Sequence, residues 1–97
     1  MADYKLSNLT KEDLIRIHRY GVEKFGMKQA DKYFDTFFEY FDIITENPFS
    51  FESVDYIKTN YRRCVCCSDS IYYKINDNNN IVEIMAIIGK QDLKNIL

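Results

Sequence analysis

The residues that could do chemistry are concentrated in one short stretch, which reads YRRCVCC from Tyr61 to Cys67. Three cysteines within four positions could bind a soft metal or take part in redox reactions. The two arginines directly before them could bind carboxylates or phosphates. The stretch therefore suggests two kinds of site, and the elements around it decide between them.

A metal site is the weaker interpretation of this stretch. Structural zinc takes four ligands, commonly as two short Cys or His pairs separated by a loop. Cys64, Cys66 and Cys67 form one cluster without a second pair, and the single histidine, His18, lies far away in sequence. On a strand Cys64 and Cys66 point to one face and Cys67 to the other. We therefore predict that the cysteines pack as small apolar side chains, that His18 is a surface or half-buried helix residue, and that no metal or cofactor binds.

Size and composition predict one domain over residues 1–97, with 46% hydrophobic and 15% aromatic residues to build its core. The formal net charge of -2 disfavours a non-specific nucleic-acid binder, which would carry a basic excess. The N-terminal residues do not resemble a signal peptide, and the apolar stretch 81–88 is too short to span a bilayer. We expect a cytoplasmic protein with reduced cysteines.

The first half of the chain predicts a short strand over Asp3 to Leu6 and then a helical hairpin. Thr10 is the predicted N-cap of the first helix, and Gly26 the residue that ends it. Residues at helical spacing place one face of this helix toward the core. These residues are Leu14, Ile17, Gly21 and Phe25. Gly21 in mid-helix indicates close approach by a packed neighbour.

The second helix has the clearest apolar period, and Pro48 ends it. Its predicted core face consists of Ala30, Phe34, Phe37, Phe41 and Ile44. The apolar arc is wider than one packing partner needs. The outer groove of the hairpin could therefore hold a helix from another chain.

After Pro48 the period changes to that of strands, which we predict over residues 60–67, 70–75 and 81–88. In the last strand Ile84, Ala86 and Ile88 alternate with Met85 and Ile87, so both faces are apolar and a central position is expected. The resulting order is β-α-α-β-β-β. The predicted fold class is α+β, with a helical hairpin packed on a mainly antiparallel sheet.

Arg62 and Arg63 are adjacent on a predicted strand, so one faces the helices and the other the open side of the sheet. Two interpretations remain open. The pair could consist of a salt-bridged arginine and a solvated one. Alternatively, the outward arginine binds an acidic partner or a phosphate together with Lys74 and Lys90.

The sequence contains no Gly-rich phosphate loop, no Gly-x-Ser-x-Gly elbow and no conspicuous carboxylate pair. Together its segments resemble the ParE branch of the RelE/ParE toxin superfamily. The stretches YKLSNLTKEDL and IHRYGVEKFGMKQADKY resemble the first strand and helical hairpin of that family. The stretch ENPFSFESVDYIKTNYRR resembles its connection into an arginine-bearing strand. The stretches CSDSIYYKI and IVEIMAIIGKQDL resemble its closing hairpin.

This resemblance implies a non-enzymatic toxin of a type II toxin–antitoxin system that inhibits DNA gyrase by protein–protein contact. A cognate ParD-like antitoxin would neutralise it in a hetero-oligomer, its tail wrapping across the hairpin and the sheet. The implied target- or antitoxin-binding residues are Arg62, Arg63, Tyr73, Lys74 and Lys90. The implied antitoxin groove consists of Ile17, Tyr33, Phe37 and Tyr40.

At three positions the chain differs from many members of the family that it resembles. Many ParE-like chains carry a histidine near Asp69, an arginine near Ala86 and a histidine near Gly89. RelE-type relatives cut mRNA on the ribosome and need basic and acid–base groups in this region. Ribonuclease activity is therefore not expected. The replacement of these three residues also counts against gyrase inhibition. We therefore keep two alternatives to a gyrase inhibitor: a ribosome-dependent mRNA endonuclease, and an antitoxin-binding module without toxicity.

Overall fold

The computed structural model describes residues 3–89. In chain order its elements are β1 (Tyr4–Leu6), α1 (Asn8–Phe25), α2 (Met27–Glu46), β2 (Glu52–Ser53), β3 (Arg62–Cys66), β4 (Asp69–Ile75) and β5 (Val82–Gly89). The sheet has the order β1-β5-β4-β3-β2, and only β1 and β5 pair in parallel. This architecture confirms the predicted α+β class and adds the two-residue strand β2. Neither helix within residues 3–89 is long and apolar enough to cross a membrane.

Ser7, rather than Thr10, is the N-cap of α1. The backbone of Ser7 is extended, with φ -67° and ψ 162°, and its Oγ accepts a hydrogen bond from the Thr10 amide at 3.0 Å. Thr10 lies in the first turn, where its buried hydroxyl donates to the Ile84 carbonyl at 2.9 Å. The predicted start of α1 was therefore wrong by one turn, because the serine before Thr10 takes the capping position first.

Gly26 ends α1 as predicted, with a φ of 92° that favours glycine, and α2 begins at the next residue. The helices approach closely at Gly21, where a Cβ atom would lie 3.2 Å from the Ala30 Cβ. The prediction of a packed neighbour at Gly21 is thus confirmed. Phe25 was placed on the core face, but it is the last residue of α1 and is 69% exposed beside the turn. That placement was wrong because the packed face of the helix stops before the turn.

The main core lies between the hairpin and one face of the sheet. Phe37, Phe41 and Ile44 of α2 are completely buried against apolar residues of β3, β4 and β5. Burial of each such side chain contributes about 1.5–3 kcal/mol to folding. Phe34 packs at the edge of the cluster. The apolar period of α2 therefore predicted its buried face correctly.

A second apolar cluster covers the opposite face of the sheet. It consists of Val54, Tyr61, Tyr72, Ala86 and Ile88, with Ile57 and Met85 packed against it. Val54 and Ile57 belong to the connection between β2 and β3, which folds over this outer face. The outer face is consequently not the open surface that the sequence predicted.

A β-bulge at Met85 interrupts the alternation of β5. Tyr72 pairs with Ala86 but Tyr73 pairs with Ile84, so Met85 is an extra residue. As a result, Ile84 and Ile87 belong to the main core, whereas Ala86 and Ile88 belong to the outer cluster. The predicted alternation was wrong because one inserted residue exchanges the two faces. The expectation of a central position holds in so far as β5 is paired on both sides, with β1 and β4, although β4 is the middle strand of the five.

Polar side chains of α1 satisfy backbone groups of β5 around the bulge. We call four hydrogen bonds, one from the N-cap Ser7 and three from residues of α1, the α1–β5 ladder: Ser7 Oγ to the Met85 carbonyl at 2.9 Å, Thr10 Oγ1 to the Ile84 carbonyl at 2.9 Å, the Ile87 amide to Asp13 Oδ2 at 3.0 Å, and Arg16 Nη2 to the Ile87 carbonyl at 3.5 Å. A bulge leaves backbone groups without cross-strand partners, and buried groups of this kind need others. The ladder therefore fixes α1 against the irregular part of β5.

Candidate functional site

Arg62 lies on the helix side of β3, at the edge of the main core. Its Nη1 donates to the Phe51 carbonyl at 2.7 Å, and its guanidinium carbon lies 5.3 Å from the ring centroid of Phe49. Phe49 is itself 72% exposed. The hydrogen bond to Phe51 uses one N–H group of the guanidinium and leaves others for an acceptor. The half-buried Arg62 and the exposed Phe49 together form an aromatic and cationic pair.

Arg63 lies on the other face of β3, in agreement with the predicted alternation. Its Nε and Nη2 contact Glu52 Oε1 at 2.7 and 2.6 Å, and 21% of the arginine side chain is exposed. The side-chain hydrogen bond with Tyr72 and then the bond with Glu52 raise the pKa of Arg63. Arg63 is therefore held by a neighbouring strand, which matches the salt-bridge interpretation for this residue.

Tyr73 is completely buried, and its hydroxyl donates to the Pro48 carbonyl at 2.7 Å. Burial raises the pKa of Tyr73 to about 12, although the positive charge of Arg62 acts in the opposite direction. The expectation that Tyr73 forms part of the binding surface was wrong, because the segment at Pro48 covers it. Lys74 lies on the outer face, with Nζ 3.8 Å from Glu83 Oε1. Lys90 lies outside the described residues.

The predicted cationic residues do not converge on one patch. Arg62 faces the helix side of the sheet, whereas Arg63 and Lys74 face the outer side and each pairs with a carboxylate. Opposite charges at these distances reduce the field that a distant partner experiences. Among these three cations, Arg62 is the one for which residues 3–89 provide no carboxylate partner at salt-bridge distance.

The four predicted groove residues do not form one exposed groove either. Phe37 is completely buried, and Ile17 packs partly buried against the same core. Tyr33 donates to Asp69 Oδ2 at 2.8 Å, and burial followed by this hydrogen bond raises its pKa. Tyr40 lies partly buried on the flank of α2. The prediction for Phe37 was wrong because the widest part of the apolar arc packs on the sheet instead of facing solvent.

An exposed apolar surface lies elsewhere on the hairpin. We call it the outer stripe; its members are the exposed Ile15, Phe25 and Met27 and the half-buried Val22. Ile15 and Phe25 are 57% and 69% exposed, and Met27 is 58% exposed. The spacing of seven and three residues along α1 places Ile15, Val22 and Phe25 on one flank of the helix, and Met27 is the first residue of α2. This second apolar period was visible in the sequence, but the stronger period of the core face concealed it.

His18 lies on the same flank and joins the two helices. Its Nε2 is 2.7 Å from Asp31 Oδ1, and its ring meets the edge of Phe34 at a centroid distance of 5.6 Å. About a third of the histidine side chain is exposed. This environment is that of a half-buried helix residue, as predicted, and it stabilises the hairpin beneath the outer stripe.

Two of the three cysteines are core residues. Cys64 and Cys66 are buried, and burial raises the pKa of their thiols to about 11 and about 12. Cys67 instead lies exposed in the turn after β3, with a φ of 56°. The packing prediction was therefore right for two cysteines and wrong for Cys67, because β3 ends before it. Within residues 3–89 no group of three His, Cys, Asp or Glu side chains is arranged to hold a metal ion.

The fold is shared with chains of two solved toxin–antitoxin systems. A chain of the chromosomal ParDE system from P. aeruginosa matches with a TM-score of 0.80 and 15% identity, covering 92% of this chain and 96% of that one. A chain of the RelBE2 toxin–antitoxin complex from Mycobacterium tuberculosis matches with a TM-score of 0.71 and 10% identity, covering 92% and 98%. The architecture therefore defines a protein of the RelE/ParE fold.

Sequence comparison gives the family. Residues 4–93 match the model of the ParE toxin of the type II toxin–antitoxin system parDE. Toxin ParE1 of Caulobacter vibrioides is 27% identical over 85 residues, which cover 88% of each chain. The chain belongs to the ParE toxin family, within the RelE/ParE superfamily. The resemblance seen in the sequence is thereby confirmed.

Proposed function

We propose that the chain inhibits DNA gyrase by protein–protein contact and that a cognate ParD-like antitoxin neutralises it in the cytoplasm. The observation that carries the proposal is the family match over residues 4–93. Gyrase is the target that the sequence resemblance to the ParE branch implies. A hetero-oligomer with the antitoxin would be the resting state.

The surroundings of β5 support protein binding over mRNA cleavage. RelE-type cleavage needs basic and acid–base side chains close to this strand. At the corresponding position Ala86 is 2% exposed and packs with Tyr61 and Tyr72 in the outer apolar cluster. The methyl side chain of Ala86 cannot accept or donate a proton during phosphodiester cleavage.

The outer stripe supports an antitoxin that binds as an amphipathic helix. Such a helix would place its apolar face against Ile15, Val22 and Phe25, and large exposed apolar side chains are typical of this mode of recognition. Arg62 and Phe49 would supply a polar and aromatic anchor for gyrase. Arginine and aromatic residues are enriched among the side chains that dominate binding energy.

The activity is tested with purified gyrase in a DNA supercoiling assay, with and without a ParD-like antitoxin that binds the chain. We expect inhibition that the antitoxin reverses, and no cleavage of ribosome-bound mRNA. Cleavage with unaffected supercoiling would replace the proposal by the endonuclease alternative. Tight antitoxin binding with neither activity would identify a binding module without toxicity.

The two surfaces are tested with separate variants. Phe25→Glu should weaken antitoxin binding by about 2 kcal/mol or more, because it places a charge in an apolar contact. Tyr20→Glu is the matched control, since Tyr20 is an exposed aromatic residue on the opposite flank of α1. Arg62→Ala should reduce gyrase inhibition more than Arg62→Lys; the melting temperature of each variant is measured as well, because Arg62→Ala also removes the hydrogen bond to the Phe51 carbonyl. If Phe25→Glu and Tyr20→Glu weaken antitoxin binding equally, the outer stripe is excluded as the antitoxin-binding surface.

A further inference from the structure

Strand β1 has one edge that no other strand occupies in the part of the chain that the structure describes. The Asp3 carbonyl accepts from the Val82 amide at 3.2 Å, and the Ser7 amide donates to the Ile84 carbonyl at 3.0 Å. Alternate residues of a strand direct their backbone groups to the same side, so the N–H and C=O groups of Lys5 also point toward β5. The N–H and C=O groups of Tyr4 and Leu6 therefore point outward, where another strand could pair with them.

A surface cavity of about 600 Å³ adjoins this edge, between β1 and the last turns of α2. Its charged lining residues are Asp3, Lys5, Asp42 and Glu46, all of which are exposed. Three carboxylates against one ammonium give this cavity a negative charge. The cavity is therefore suited to a cationic side chain.

Tyr4 connects the cavity to the strand edge. Its ring packs against Phe41 with a centroid distance of 5.4 Å, which fixes the strand over the core. Burial, followed by the negative charge of Asp42, raises the pKa of the Tyr4 hydroxyl. Tyr4 and Asp42 both line the cavity, so the free strand edge and the carboxylates lie next to each other.

We propose that the β1 edge binds an extended cationic segment of a partner protein, which adds to the sheet as a sixth strand. The backbone of the segment would pair with Tyr4 and Leu6, and a Lys or Arg side chain would enter the carboxylate cavity. Because side chains alternate along a strand, basic residues would stand at every second position.

The charge distribution selects this occupant over others. An acidic segment or a nucleic acid would be repelled by Asp3, Asp42 and Glu46. A second copy of the chain would bring its own carboxylates to the same edge. This inference is independent of the proposed action on gyrase, because it concerns the opposite edge of the sheet from Arg62.

The probe is a fluorescein-labelled nonapeptide of alternating lysine and valine, titrated with the full chain in a fluorescence anisotropy assay. One control peptide replaces lysine by glutamate. The other keeps the lysines but is N-methylated at alternate amides, so it cannot pair with a strand edge. We expect the first peptide to bind about tenfold more tightly than either control.

Matched variants locate the site. The pair Asp42→Asn and Glu46→Gln should weaken peptide binding about tenfold. The pair Glu12→Gln and Glu23→Gln removes the same charge from exposed positions of α1 and should change binding less than about twofold. All four positions are exposed, so the fold is expected to survive, and circular dichroism checks that it does.

Hydrogen exchange reports the backbone pairing directly. Peptide binding should slow exchange at the amides of Tyr4 and Leu6. Equal binding of the N-methylated peptide, equal losses in both variant pairs, or unchanged exchange at these amides would overturn the proposal. None of these outcomes affects the supercoiling or antitoxin assays, so the two proposals fail separately.

Discussion

Asp13 connects the first helix to the irregular part of the last strand. Its Oδ2 accepts the Ile87 amide, and its Oδ1 lies 3.1 Å from the Arg16 guanidinium. Only 8% of the residue is exposed, so water cannot replace either contact fully. The contribution of Asp13 to stability therefore comes mainly from the buried amide that it satisfies.

We predict that Asp13→Ala lowers the free energy of unfolding by about 2 kcal/mol, because it leaves the Ile87 amide without an acceptor. Asp13→Asn should cost about half as much, since the amide oxygen can still accept. Urea unfolding measures both, and Glu12→Ala at the neighbouring exposed position serves as control. A loss no larger than that of Glu12→Ala would show that the ladder contributes little.

The three cysteines should react very differently with a thiol reagent. In the native protein at pH 8 we expect iodoacetamide to modify Cys67 alone, because Cys64 and Cys66 are buried and remain protonated at this pH. All three should react in urea. Mass spectrometry counts the modifications, and Cys67→Ser should abolish the native reaction. Rapid modification of Cys66 in the folded chain would contradict its assigned place in the core.

At the scale of elements, the close contact at Gly21 determines how the two helices pack. We predict that Gly21→Ala is almost neutral, because a gain of about 1 kcal/mol in helix propensity is offset by the contact with Ala30. Gly21→Val should destabilise by about 2 kcal/mol. Thermal unfolding measures both changes.

A double-mutant cycle separates the two contributions. Adding Ala30→Gly to Gly21→Val should restore part of the stability lost, relative to the sum of the single changes. Simple additivity would show that the two positions do not interact, and would remove the packing explanation for Gly21.

The helices and strands could largely be predicted because each has a period of its own. The spacing of Phe37, Phe41 and Ile44 requires only that α2 pack along one side. The bulge at Met85 has no comparable signal, because it depends on how Tyr72 and Tyr73 pair with a strand distant in sequence. The face of the sheet on which a residue of β5 lies therefore could not be predicted from the local sequence pattern.

The candidate site was predicted only in part for a similar reason. Alternation separates Arg62 from Arg63 correctly, since it depends on neighbouring residues alone. The burial of Tyr73 depends on where Pro48 lies in the fold, and the pairing of Arg63 depends on Glu52 in a two-residue strand. Contacts from irregular segments leave no period in the sequence.

For the whole molecule, we predict that stability falls as the pH rises above about 9. Burial raises the pKa of Cys64 to about 11 and of Cys66 to about 12, above the ordinary thiol value of 9.0. As the pH rises, the two thiols therefore lose their protons in the unfolded chain before they do so in the folded chain. Their contribution to the free energy of unfolding is fully present below pH 9 and is lost as the pH rises through 11–12. Melting temperatures from pH 8 to 11 measure the effect.

The comparison variant for this prediction is Cys66→Ala, which removes one of the two thiols. Its melting temperature should decline less steeply with pH than that of the parent chain. An identical slope would show that other groups cause the alkaline loss, with the raised pKa of Tyr33 the next to examine.

The parallel pairing of β1 with β5 has a consequence for synthesis. Tyr4 meets Val82, and Asp13 meets Ile87, across separations of more than seventy residues. While the ribosome is still making the chain, the first strand and the polar side of the first helix have no partners. Closure of so long a loop must wait until β5 has been made. The native surface thus appears only after β5 has been made, which leaves an interval in which a previously made binding partner can be in place.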